Sequence, residues 1–126
     1  MRAKLVVALA AIVLGVVGLA KVERVAEVSY EVKAGAPGYA LVVIPNALDV
    51  SLNKFGLSLG LEGVVTGALA IQGTGPAVIE GGPMYWVITL PGAGLAPKGI
   101  LLVSVKVPVG ADLKAVVGKV VGYKIS

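Results

Sequence analysis

A chain of 126 residues that is 57% apolar and 14% charged, carries a net charge of +4 and has neither cysteine nor histidine has room for one domain and is closed to several chemistries at once. Without cysteine there is no disulfide framework or thiolate metal site, and without histidine the commonest general base and zinc ligand is missing. Half of the net charge comes from Arg2 and Lys4, while Lys98, Lys106, Lys114, Lys119 and Lys124 stand singly among valines and glycines, so nucleic acid is not an expected partner.

The first element is the run from Leu5 to Ala20, which follows a basic start and contains no charge, no hydrogen-bonding side chain and no proline. Two fates fit it. As a secretory signal it offers the small residues Gly18 and Ala20 to a signal peptidase, and it is shorter than the ~20 residues that span a bilayer as a helix. As a retained helix it places Ala8, Ala11, Gly15 and Gly18 on one face, a stripe that lets helices approach closely in an apolar setting. The helical pattern continues that stripe with Val22 and Val25, opposite Glu23, Arg24 and Glu27, as far as about Val28.

Residues 21–33 also read as a strand, with Val22, Ala26, Val28, Tyr30 and Val32 on one face and only Arg24 and Val25 out of step. From Val28 onward the strand reading is the better one. The remaining chain is β in character, with short apolar runs divided by turn residues. YALVVI (39–44) ends at Pro45-Asn46, LDVSL (48–52) alternates weakly, and Leu57, Leu59 and Leu61 mark a half-buried strand. VVTGALAI (64–71) closes at QGTGP, and AVIE and MYWVITL flank a hairpin connection at Gly81-Gly82-Pro83. PGAGLAPKG (91–99) is a loop, since its prolines and glycines exclude a helix. In ILLVSVKVPV, Leu101, Val103, Val105, Val107 and Val109 oppose Leu102, Ser104, Lys106 and Pro108, and the proline puts the strand at an edge or at its end. LKAVVGKVVGYKI sets Val117, Lys119, Val121, Tyr123 and Ile125 against Val116, Gly118, Val120, Gly122 and Lys124.

The fold class is therefore mostly β: a hydrophobic N-terminal α-helix over residues 1–28, then an antiparallel, immunoglobulin-like β-sandwich over residues 29–126 with about seven to nine short strands. Removing the first twenty residues still leaves roughly 53% apolar content, above the ~45–50% of soluble domains. The excess implies a dense valine-rich core, or a surface buried against other copies.

Catalytic chemistry is not expected. The serines sit in no nucleophile motif, and Ser104 and Lys106 on one strand face read as a solvated polar face. The acids Asp49, Glu62, Glu80 and Asp112 are scattered, PGAGLAPKG lacks the Gly-Lys-Ser/Thr of a phosphate loop, and no calcium loop is present. No cofactor or metal is expected. Tyr85-Trp86 reads as core, with a carbohydrate-stacking platform as the functional alternative. Few cysteines, methionines and amides, the last only Asn46, Asn53 and Gln72, match a pattern of hyperthermophile proteins.

In layout the chain resembles the archaeal type IV pilin and archaeal flagellin group, with a basic start, a hydrophobic helix and an all-β domain of about a hundred residues. The resemblance implies that residues 5–28 bundle into a filament core and residues 29–126 coat it. The partner would then be the chain itself, with the membrane involved during export and before assembly, and Ala8, Ala11, Gly15, Gly18, Val22 and Val25 would form the self-assembly interface. The processing site departs from the family pattern, since Arg2-Ala3 would leave Lys4 at the head of the helix. The expected function is a structural subunit of an extracellular, pilus-like homopolymer. The alternative is a signal-cleaved secreted β-sandwich, either a filament subunit that donates the strand at 22–32 to its neighbour or a cell-surface binding module.

Overall fold

The computed structural model describes residues 21–126. Nine strands follow one another: β1 (Val22–Glu27), β2 (Glu31–Ala34), β3 (Tyr39–Pro45), β4 (Lys54–Leu59), β5 (Val64–Ala70), β6 (Val78–Gly81), β7 (Tyr85–Thr89), β8 (Ile100–Lys106) and β9 (Val117–Ile125). A single turn of helix, α1 (Leu113–Val116), precedes β9, and the Asp112 carboxylate caps it by accepting from the Lys114 amide. The strands form a five-stranded sheet in the order β1-β9-β4-β7-β6 and a four-stranded sheet in the order β2-β3-β8-β5. Every pairing is antiparallel, as the short turn-bounded runs imply.

The core lies between the sheets. Phe55 and Leu57 from β4, Ile88 from β7 and Val120 from β9 meet Val42 and Ile44 from β3 and Leu101, Val103 and Val105 from β8, all without solvent contact. Burying each such side chain contributes about 1.5–3 kcal/mol. β8 ends before Pro108 and lies between β3 and β5, so the proline terminates the strand and does not mark a sheet edge. The connection from β1 to β2 crosses between the sheets along one side of the sandwich. Val28 is buried there with its amide on the Val120 carbonyl, and the Tyr30 hydroxyl donates to the Val117 carbonyl.

The expected helix does not extend through residues 22–28, which form β1 and its exit. β1 pairs with β9 from Val22↔Ile125 to Glu27↔Val121, and the register shifts between Val22 and Arg24. That irregularity is the break in alternation visible at Arg24-Val25. A ladder partner and the ion pairs Arg24–Asp49 (3.5 Å) and Glu27–Lys119 (3.7 Å) favour the strand, whereas a helix here would have to bury one face with no partner. Val22 and Val25 therefore sit on an edge strand and not on a helical stripe, while Ala8, Ala11, Gly15 and Gly18 lie outside the described residues.

Two other expectations change. LDVSL makes only the isolated bridge Leu52↔Leu95, because that segment turns the chain from one sheet to the other. In β9, Leu59 pairs with Val117 and Ser58 with Lys119, so Gly118 is an extra residue. The bulge reverses the alternation: Val117 and Val120 face the core, while Lys119 and Tyr123 face outward beside Ser58 and Lys54.

Candidate functional site

The outer face of the five-stranded sheet carries the most distinctive surface chemistry. Residues that alternate with the core set along β4, β7 and β9 point there: Lys54, Gly56 and Ser58, then Tyr85, Val87 and Thr89, then Lys119, Val121 and Tyr123. Tyr85 is exposed on β7, two strands away from Tyr123 on β9. Gly56 on the intervening β4 makes their meeting possible. A Cβ at this position would stand 2.2 Å from the Tyr85 hydroxyl, so the phenol end of Tyr85 rests directly on the glycine backbone. A glycine inside a strand commonly marks such a close approach.

Burial first, and then the neighbouring Tyr85 hydroxyl, hold the Tyr123 phenol protonated well above the ordinary tyrosine range. The pair thus presents one exposed ring and one partly covered, uncharged phenol on the outer face of the sheet. Lys54, Ser58, Thr89 and the Glu27–Lys119 ion pair border it with donors and acceptors. Such a surface can stack on an apolar face of a ligand and hydrogen-bond its rim. It holds no nucleophile activated by a base.

The neighbouring tryptophan has a different role. Trp86 turns to the core side of β7, packs half-buried against the core cluster and donates its indole N–H to the Pro83 carbonyl at 3.1 Å. Trp86 therefore packs against the core, as the core reading of Tyr85-Trp86 has it, whereas Tyr85 is exposed. Sequence inspection missed Tyr123, which is distant from Tyr85 in the chain. Gly56 within the run KFGLSL was the available signal.

The other sequence candidates are structural. Ser104 lies on the outer face of the four-stranded sheet, where its hydroxyl accepts from Thr66 at 3.1 Å, and Lys106 is exposed beyond it. Asp49 pairs with Arg24 and Asp112 caps α1. Among the described residues no three His, Cys, Asp or Glu side chains gather as a metal site, and no helix is long and apolar enough to cross a membrane.

Asn46 is the fully buried polar side chain of the fold, with 0% exposure. Its amide donates to the Val50 and Leu95 carbonyls, both at 2.9 Å, and its side-chain oxygen accepts from the Leu48 amide at 3.0 Å. Asn46 ties together the two loops at one end of the sandwich, residues 46–53 and 91–99. Asn53 acts similarly at the start of β4, exchanging two hydrogen bonds with the backbone of Ile125.

These features define an antiparallel β-sandwich with an aromatic patch on one sheet. No family description matches the chain, and no curated protein does. A solved structure is similar to it: the chitin-binding domain of a chitinase from Pyrococcus furiosus, with a TM-score of 0.51 and 20% sequence identity, covering 77% of this chain and 91% of that domain. At that identity the likeness speaks for the fold alone.

Proposed function

We propose that this chain is a non-catalytic, extracellular β-sandwich module that binds an extended polysaccharide on the outer face of its five-stranded sheet. The observation that carries the reading is the Tyr85 ring seated on Gly56 beside Tyr123, an aromatic surface bordered by polar side chains on the outer face of the sheet. Sugar rings stack on such aromatics through their C–H faces while their hydroxyls meet the polar border. The fold similarity to a chitin-binding domain makes chitin the first polysaccharide to try. Co-sedimentation with insoluble chitin and cellulose tests it. Retention that falls about tenfold in Tyr85→Ala is expected, equivalent to one lost stacking contact. No retention on either polymer, or retention unchanged by the substitution, would sink the reading.

A second reading, the filament subunit, draws support from a separate observation. The stretch Val22–Ala34 supplies an edge strand to both sheets and inserts Val28 into the core between them, with Tyr30 and Val32 packed beside it. Such a segment can equally be supplied by a neighbouring copy, giving a head-to-tail polymer. The helix-bundling route to the same polymer rests on residues outside the described ones. Negative-stain microscopy of the secreted protein tests both routes: filaments would support this second reading, and discrete particles at all concentrations would exclude an open polymer.

A further inference from the structure

The outer face of the four-stranded sheet differs in kind from the tyrosine face. Val43, Leu102 and Leu69 lie in register across β3, β8 and β5, and Pro45 stands opposite Ile100, to whose carbonyl the Ile71 amide donates. Leu69 and Ile71 are 60% and 61% exposed. The other faces of the same strands are the core residues Val42, Ile44, Leu101 and Val103, so β3 and the Ile100–Leu102 end of β8 are apolar on both sides, with Ser104 and Lys106 at the other end of β8. An antiparallel sheet that faces water on one side ordinarily alternates apolar with polar residues, and this end of the face does not.

We infer that this outer face is where a second copy of the chain docks, sheet against sheet about a two-fold axis passing between β3 and β8. Four strands of up to seven residues span roughly 19 Å by 24 Å. Two such faces pressed together cover at most about 900 Å², the size of a weak, concentration-dependent association. The charges also favour a copy over a lipid surface. Glu31 and Lys33 on the edge strand β2, themselves paired at 4.0 Å, and Lys106 at the end of β8 place both signs on the rim, which a two-fold can match with itself, whereas an anionic bilayer would select basic residues alone. The face is opposite the tyrosine patch, so pairing leaves both polysaccharide faces outward, and the inference does not depend on that binding reading.

A cysteine-free chain allows a direct test. In the full-length protein, Leu102→Cys near the proposed axis should join two copies through a short bis-maleimide, because facing sheets lie about 10 Å apart and a direct disulfide does not reach, while Val87→Cys on the opposite sheet should remain mostly unlinked. Sedimentation velocity over a concentration series should show a two-copy unit whose dissociation constant rises at least tenfold in Leu69→Glu/Leu102→Glu, with circular dichroism unchanged because both side chains point outward. Equal cross-linking at the two positions, or association unaffected by the double substitution, would overturn the inference and leave any assembly to the N-terminal residues. Wild-type protein that is monomeric alone but co-sediments with anionic vesicles through the same residues would also overturn it, in favour of a membrane surface.

Discussion

The two outer faces of this sandwich are built from strands of similar length and lie on opposite sides of one core, yet they offer opposite chemistry. On the five-stranded sheet, glycine, tyrosine, lysine, serine and threonine, with Val87 and Val121 beside Gly56, occupy the outward positions of β4, β7 and β9. On the four-stranded sheet the outward positions of β3 and β8 are mainly valine, leucine, isoleucine and proline. A strand needs only one apolar face to hold a sandwich together. The additional apolar face is therefore surplus to folding and points to association, whereas the polar aromatic face fits a ligand rich in hydroxyl groups.

The largest test of this contrast asks what the faces share. Asn46 sits between them, just after β3, and fixes the loops that lead into β4 and β8. Asn46→Ala would leave the carbonyls of Val50 and Leu95 and the Leu48 amide without their partner, at a cost of about 3 kcal/mol. A fall in melting temperature on the order of 15 °C is expected, with polysaccharide retention and self-association weakened together as the fold is lost. If one property survived heating that removed the other, the faces would belong to separately stable units and the single-core description would fail.

A smaller effect should separate them. Gly56→Ala places a methyl group where the Tyr85 hydroxyl rests, and the long tyrosine side chain can swing away at a cost of under about 1 kcal/mol. Polysaccharide retention should fall nearly as far as in Tyr85→Ala although the tyrosine is still present, and sedimentation should be unchanged. Full retention would mean that the seated geometry of the ring is irrelevant to binding.

How much of this could be read from the residues alone depended on how local the cause was. β3 and β8 were evident because YALVVI is an uninterrupted apolar run and ILLVSVKV alternates about an apolar face, and the β6–β7 hairpin was marked by Gly81-Gly82-Pro83. The surplus of apolar residues fitted either a dense core or an uncovered surface, and locating the outward part required the sheet order, since Leu69 and Leu102 become neighbours only when β5 and β8 pair. β9 was misread at Gly118, where one bulged residue reversed the alternation for everything after it. β1 was ambiguous because Val22 and Val25 fit a helical spacing while Val22, Ala26 and Val28 fit a strand's alternation, and its ladder partner at the far end of the chain decides the matter. The Tyr85–Tyr123 patch depends on the strand order β7-β4-β9, which no local pattern encodes.

The smallest effect concerns Tyr123, and its sign follows from linkage. Its proton is held above the ordinary tyrosine range in the folded state by burial and by Tyr85. Below pH ~10, the ordinary tyrosine value, folded and unfolded chains both keep that proton, and it contributes no slope. As pH rises past that value the unfolded chain releases the proton while the folded chain retains it, so the unfolded state binds fewer protons and stability falls with increasing pH. One proton sets an upper bound of about 1.4 kcal/mol per pH unit on this slope, and partial exposure of the ring reduces it. Urea titrations across alkaline pH should therefore show a decline that is shallower in Tyr123→Phe. The native ultraviolet titration should show a delayed tyrosinate step that the same substitution removes. Self-association, on the opposite sheet, should respond to neither change; a dimer that weakened in step with Tyr123 ionisation would show that the two faces are coupled through the core they share.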